Sequence, residues 1–127
     1  MSEGSLIETP LMRGLERALD QSAFRHQVLA SNLANIDTPG YHARDLRTFA
    51  GEIEQAMAGE ELNGEPMMHP AVYEIRGLNE RPDGNNVSVE RESLLLAENQ
   101  LRFQTAVAFL KAEFHRLSLA INGGNTS

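Results

Sequence analysis

Cysteine and tryptophan are absent from this 127-residue chain, and lysine occurs once, at Lys111. The first absence excludes a disulfide framework, a cysteine-based zinc site and a thiol nucleophile. One lysine beside ten arginines, within a formal net charge of −7, excludes the basic footprint of non-specific nucleic-acid binding and a polybasic membrane anchor. Aromatic residues make up 6% of the chain, so a large aromatic core is not expected. No run approaches the ~20 apolar residues that span a bilayer. Met1 to Pro10 has no apolar core of a cleavable secretory signal. The length suits one modest domain.

What is present is organised around Ala30-Ser31-Asn32-Leu33-Ala34-Asn35-Ile36-Asp37-Thr38-Pro39-Gly40-Tyr41. Pro39 fixes its own φ and pushes Thr38 toward extended backbone, and Gly40 accepts a positive φ. A type II turn over Thr38–Tyr41 follows, with Asn35 or Asp37 ending a helix just before it. Val28 to Ile36 carries no charge on any side, whereas an ordinary surface helix keeps a charged face toward water. Asn32 and Asn35 stand three apart, on one face. Their amides can fix register between packed helices, and Asn35 can equally cap the helix end.

The chain divides into a polar tail (1–10), a single domain (11–122) and a short carboxy-terminal tail (123–127). Within the domain the pattern predicts a helix over 11–36, an irregular middle over 37–87 and a helix over 88–122. The fold class is therefore mainly α: two long antiparallel terminal helices forming a coiled-coil-like hairpin. In the first helix Met12, Leu15, Leu19, Leu29, Leu33 and Ile36 follow alternating steps of three and four, interrupted by Ser22 and His26. In the second the seam runs Val89, Ser93, Leu96, Gln100, Phe103, Val107, Leu110, Phe114, Leu117 and Ile121, ended by Gly123-Gly124. At ~1.5 Å per residue the two helices extend about 39 Å and about 50 Å. In the middle, Thr48 with Phe49, Ile53 and Met57 suits a short helix, and Gly59–Pro66 a loop. Val72, Tyr73 and Ile75 suit a short strand or an extended arm, and Arg81-Pro82-Asp83-Gly84-Asn85-Asn86 a turn. His42 to Leu46 is expected to be irregular, and the whole middle reads as a surface excursion between the helices.

A second apolar stripe, Leu94, Leu101, Ala108 and Phe109 with Leu95 beside them, lies away from the seam and is read as a contact face toward another subunit. A lone two-helix hairpin buries too little to be comfortably stable, so partners or further copies are expected to cover the remainder.

Nothing in the pattern carries catalytic chemistry. His26, His42, His69 and His115 fall in four segments without zinc-ligand spacing, and no nucleophile elbow, phosphate-cradling loop or dinucleotide fingerprint occurs. The expectation is a non-enzymatic protein with no cofactor and no metal. A soluble coiled-coil adaptor or chaperone is the alternative reading of the same helices.

The stretch from Ala30 to Tyr41 resembles the amino-terminal signature of the bacterial flagellar axial proteins, the rod and hook family. Its motif residues here are Asn32, Ala34, Asn35, Thr38, Pro39, Gly40 and Tyr41, with Ser31 where many axial proteins carry a further Asn. Tyr41-His42-Ala43-Arg44-Asp45-Leu46 followed by Phe49, and Asp83-Gly84-Asn85-Asn86-Val87-Ser88-Val89-Glu90-Arg91-Glu92 with Ala97-Glu98-Asn99 and Leu101-Arg102-Phe103-Gln104, are similar to its short proximal-rod members. The resemblance implies a structural subunit of the proximal rod in the periplasm. It further implies export through the flagellar type III gate without a cleaved signal, polymerisation through the terminal helices, and transmission of motor torque. It names as partners further copies of the chain, FlgC, FlgF, FliE and the export gate.

Overall fold

The computed structural model describes residues 9–47 and 71–125. The short helix expected after Thr48 and the loop expected over Gly59–Pro66 lie outside the described residues.

Helix α1 spans Pro10–Ala34. It starts one residue earlier than the hydrophobic spacing indicates, because Thr9 and Pro10 form a start signal of their own. The Thr9 hydroxyl accepts the Met12 amide at 3.1 Å, and proline at the first helical position loses no hydrogen bond. α1 stops at Ala34 rather than Ile36: Asn35 caps it, its amide shared between the carbonyls of Ser31 (3.1 Å) and Asn32 (3.2 Å). The Tyr41 amide then closes on the Thr38 carbonyl at 3.2 Å across Pro39 and Gly40, with Gly40 at φ 74, the geometry that a Pro-Gly type II turn requires.

Helix α2 spans Val89–Asn125. Ser88 caps it, its hydroxyl accepting the Arg91 amide at 3.3 Å and its carbonyl the Glu92 amide at 3.0 Å. Glu90 and Glu92 in the first turn suit the positive end of the dipole. The helix does not end at Asn122 but continues through the two glycines; an interior glycine costs about 1 kcal/mol, too little to stop a helix of 37 residues.

The two helices run antiparallel. Asn32 meets Glu92 at one end, Asn99 donates to the Ser22 carbonyl in the middle at 2.8 Å, and Thr9 meets Glu113 at the other end at 3.5 Å. α2, with 37 residues against 25 in α1, extends past the start of its partner.

Between the helices, part of the expected irregular path is regular. Strand β1 (Arg44–Leu46) pairs antiparallel with strand β2 (Val72–Glu74), in the register Arg44 to Glu74, Asp45 to Tyr73 and Leu46 to Val72. Bonds from Ile75 N–H to the Ala43 carbonyl (2.9 Å) and from Arg47 N–H to the Ala71 carbonyl (3.1 Å) extend the ladder at both ends. Asp45 and Leu46 of β1 are buried and all of β2 is exposed, so β2 clips onto the outside of the joint.

Among the described residues the buried apolar set is Met12, Leu29, Ala43, Leu46, Val87 and Ala106. Outside it stand the exposed Leu11, Val72, Tyr73, Val89, Leu94, Leu101, Phe109, Phe114, Leu119 and Ile121. Two helices and a clip have no second layer to enclose their outer faces.

Candidate functional site

Four of the seven buried polar residues among the described ones, Asn32, Asn85, Asn86 and Glu92, lie where α1 ends and α2 begins. Asn32, with no exposed surface, makes every hydrogen bond its amide can. Its Nδ2 donates to the Arg44 carbonyl (2.8 Å) and to Glu92 Oε2 (3.0 Å). Its Oδ1 accepts from the Arg44 amide (3.0 Å) and the Tyr41 hydroxyl (3.1 Å). One side chain thus ties α1 to the turn, to β1 and to α2. Glu92, equally buried, has its other oxygen 3.0 Å from the Arg91 guanidinium.

The loop before α2 completes the end of α1 from a distance. Asn85 donates to the carbonyls of Asn35 and Thr38, both at 2.9 Å, while its own Oδ1 accepts the Val87 amide at 2.8 Å. Arg81 donates to the carbonyls of Val87 and Ile36. The last carbonyls of a helix lack intrahelical partners, and here side chains from the far half of the chain supply them. Asn86 accepts the Ala43 amide at 2.6 Å. The middle region is therefore not only a surface excursion: residues 81–88 are built into the joint.

Two glycines permit this. The Gly40 amide donates to the Asp83 carbonyl at 2.8 Å, and Gly84 has φ 85. A Cβ on Gly84 would stand 3.4 Å from the Gly40 Cα. The turn after α1 and the turn before α2 press backbone to backbone.

A second lock lies deeper along α1. Arg25 grips Asp45 with two parallel bonds of 2.9 and 3.0 Å, both side chains almost buried. The hydrogen bond to Asp45 holds the Arg25 guanidinium above its ordinary pKa, against the opposite pull of burial. Arg44 lies over the Tyr41 ring, 5.9 Å from its centroid.

Of the expected motif residues, Asn32, Asn35 and Tyr41 enter this network through their side chains, Asn35 as a cap, and Thr38 and Gly40 through their backbone. Ala34, Thr38, Pro39 and Gly40 are exposed at the turn. Asn32 is not available to a neighbouring subunit, since it is fully enclosed within its own chain.

The helix faces differ from the hydrophobic pattern in one respect. Met12 and Leu29 are buried and Leu15, Leu19, Leu33 and Ile36 half-buried, as are Leu96, Phe103, Val107, Leu110 and Leu117 of α2. Val89, Phe114 and Ile121, however, are exposed. A buried row, Glu92, Asn99, Ala106 and Glu113, runs at intervals of seven, one residue before the expected seam positions Ser93, Gln100, Val107 and Phe114. The buried row carries polar residues where the facing groups are polar: the Asn32 amide, the Ser22 backbone carbonyl and the Thr9 hydroxyl. Hydrophobic spacing alone does not report such a row, but the heptad interval between Glu92, Asn99 and Glu113 does. Of the second stripe, Leu94, Leu101, Ala108 and Phe109 are exposed and Leu95 is half-buried. Sequence reasoning passed over Arg25, and it read Asp45 and Arg81 only as members of a family run and a turn, not as long-range partners.

The Flagella basal body rod protein family matches residues 12–42, which is α1 with the turn that ends it. The likeness to individual proteins runs much further. The flagellar basal body rod protein FlgB of Salmonella typhimurium is 33% identical over 131 aligned residues, covering 90% of this chain and 94% of that protein. This chain belongs to the FlgB family of flagellar basal body rod proteins. The FlgB of Bacillus subtilis is 30% identical over 89% of this chain and 94% of its own length, and that of Escherichia coli 29% identical over 90% and 94%. FlgB relatives therefore match this chain across both helices and the joint, well beyond the segment that defines the broader rod family.

Proposed function

We propose that this chain is a structural subunit of the proximal rod of the flagellar basal body, polymerising through its terminal helices. The rod-protein role follows from membership of the FlgB family. The finer reading is supported by the imbalance between what the chain encloses and what it leaves outside. The exposed set includes Leu94, Leu101, Phe109, Phe114, Leu119 and Ile121 of α2, against a single buried apolar residue, Ala106, on that helix. Scattered exposed apolar residues are ordinary, but a long helix lined with them on several sides expects protein neighbours. The face formed by Leu94, Leu101, Ala108 and Phe109 is the contact toward another subunit, with Leu95 at its edge. The buried heptad row and the outer apolar row together suit coiled-coil-like packing in more than one layer.

The resemblance to the rod proteins supports further copies, FlgC, FlgF, FliE and the export gate as neighbours. It also supports a periplasmic position reached by type III export. Among the described residues, no helix is long and apolar enough to cross a membrane. Torque transmission suits a joint whose buried polar atoms are all hydrogen-bonded, because such a joint resists bending between α1 and α2. Deletion of the coding sequence is expected to abolish flagella and swimming, with recovery from a plasmid copy. Normal swimming in the deletion strain refutes the reading, as does purified protein that stops at a small closed oligomer and never extends with neighbouring rod proteins.

A further inference from the structure

His42 stands between two carboxylates, one on each ring nitrogen. Nδ1 is 3.4 Å from Glu74 of β2, and Nε2 is 3.1 Å from Glu80, six residues further along. A neutral imidazole carries one N–H and offers a lone pair on the other nitrogen, so it can donate to only one of these carboxylates. Both contacts are favourable together only when the ring is protonated. Histidine is the side chain whose charge ordinarily changes between about pH 5 and 8.

The bracket sits where it has leverage. β2 is fully exposed and held to β1 by a three-residue register, while residues 81–88 beyond Glu80 are built into the joint. The span from β2 to Glu80 is thus a strap between the clip and the joint, and His42 is the group that touches it at both ends. The charged groups around the ring come from three directions. Glu74 belongs to β2 and Glu80 to the strap. Arg44 of β1 is the direct ladder partner of Glu74, with its guanidinium over the Tyr41 ring. The end of α1 from Val28 to Ile36 and the entry to α2 from Gly84 to Val89 contribute no charge.

We propose that His42 is a proton-operated latch: its imidazolium fastens the strap of residues 74–80 to the turn after α1, and deprotonation releases one of the two attachments. The latch is closed when the ring carries both protons and loosens when it gives one up. Because both pairs are half-exposed, the effect is a graded change in strap opening rather than an all-or-none transition.

Amide hydrogen exchange of Ile75, whose N–H bonds to the Ala43 carbonyl, reads the strap directly. Measured on the full chain at matched pH, the intrinsic exchange rate cancels between the natural protein and His42→Gln. At pH 5.5 the natural chain is expected to exchange two- to fivefold more slowly at Ile75 than His42→Gln, a ratio that shrinks to one at pH 8. Glu80→Gln and Glu74→Gln each remove part of the difference at pH 5.5. A ratio of one at both pH values, or a ratio that does not change with pH, overturns the proposal. Circular dichroism of each variant at both pH values confirms that the helices, and so the comparison, are intact. The outcome is independent of rod assembly, which is tested separately.

Discussion

The amide of Asn32 and the carboxylate of Glu92 meet at 3.0 Å with no solvent reaching either, though sixty residues separate them. Every remaining donor and acceptor on Asn32 is also used. Replacement by alanine therefore removes the Asn32 partner of Glu92 Oε2, the Arg44 amide and the Tyr41 hydroxyl at once. Asn32→Ala is expected to cost about 2–4 kcal/mol in urea denaturation. Asn32→Asp is expected to be at least as damaging, because it sets two carboxylates against each other. A loss below about 0.5 kcal/mol for both removes Asn32 from the centre of the joint.

Gly84 tests the backbone contact between the two turns. With φ 85, Gly84→Ala meets conformational strain, and its Cβ would come into close contact with the Gly40 Cα at 3.4 Å. A cost of about 1–3 kcal/mol in thermal or urea unfolding is expected. Gly14→Ala is the control, since a Cβ at Gly14 meets nothing within 4 Å inside α1. It is expected to stabilise by up to about 1 kcal/mol.

Acid should weaken the far end of the hairpin. Arg116 donates to Glu113 at 2.7 and 3.1 Å and holds its carboxyl below the ordinary glutamate range, with a smaller contribution from Thr9. An acid with a depressed folded-state pKa stabilises above its unfolded value and loses that contribution as pH falls through the folded one. The difference in Tm between the natural protein and Glu113→Gln is expected to be open at pH 7 and to close as the pH falls below the ordinary glutamate range. A gap that persists at low pH assigns the effect to packing instead.

The outer face of α2 separates folding from assembly. Leu101 and Phe109 are 64% and 61% exposed, so Leu101→Glu and Phe109→Glu should change monomer stability by less than about 0.5 kcal/mol. Both are expected to abolish rod assembly and swimming when they replace the natural copy. The half-buried Phe103 should behave in the opposite way, with Phe103→Ala costing about 2 kcal/mol of monomer stability. If Leu101→Glu and Phe109→Glu cells swim normally, the second contact face is wrong.

Local rules made the two helices and the turn after the first legible, but not the end of α2, which runs through the expected Gly123-Gly124 stop to Asn125. Pro39-Gly40 prescribes a turn that the backbone adopts, and Asn35 and Ser88 cap where short polar side chains cap. The face of α2 that turns inward was only half legible, because hydrophobic spacing finds Leu96, Phe103, Leu110 and Leu117 but assigns Gln100 and Phe114 inward over Asn99 and Glu113. What draws Asn99 and Glu113 in is a carbonyl and a hydroxyl on the facing helix, and a one-dimensional pattern does not contain those partners. The same holds for Arg25 with Asp45 and for Arg81 with the Ile36 carbonyl, where each residue is ordinary in its own neighbourhood. β1 escaped notice because three residues give too little alternation to read.

The end of α1 is finished by residues that lie far downstream. Asn85 reaches the carbonyls of Asn35 and Thr38 across 50 and 47 positions, and Arg81 reaches that of Ile36 across 45. A chain that emerges amino terminus first, from a ribosome or through a narrow conduit, therefore presents a first helix whose terminus stays open until roughly half the remaining length has followed. Only when the Asp83-Gly84-Asn85-Asn86 run arrives can the joint close, and α2 then starts at once from Ser88. The order of delivery is thereby written into the fold: the first half of the molecule is held incomplete until the second half licenses it.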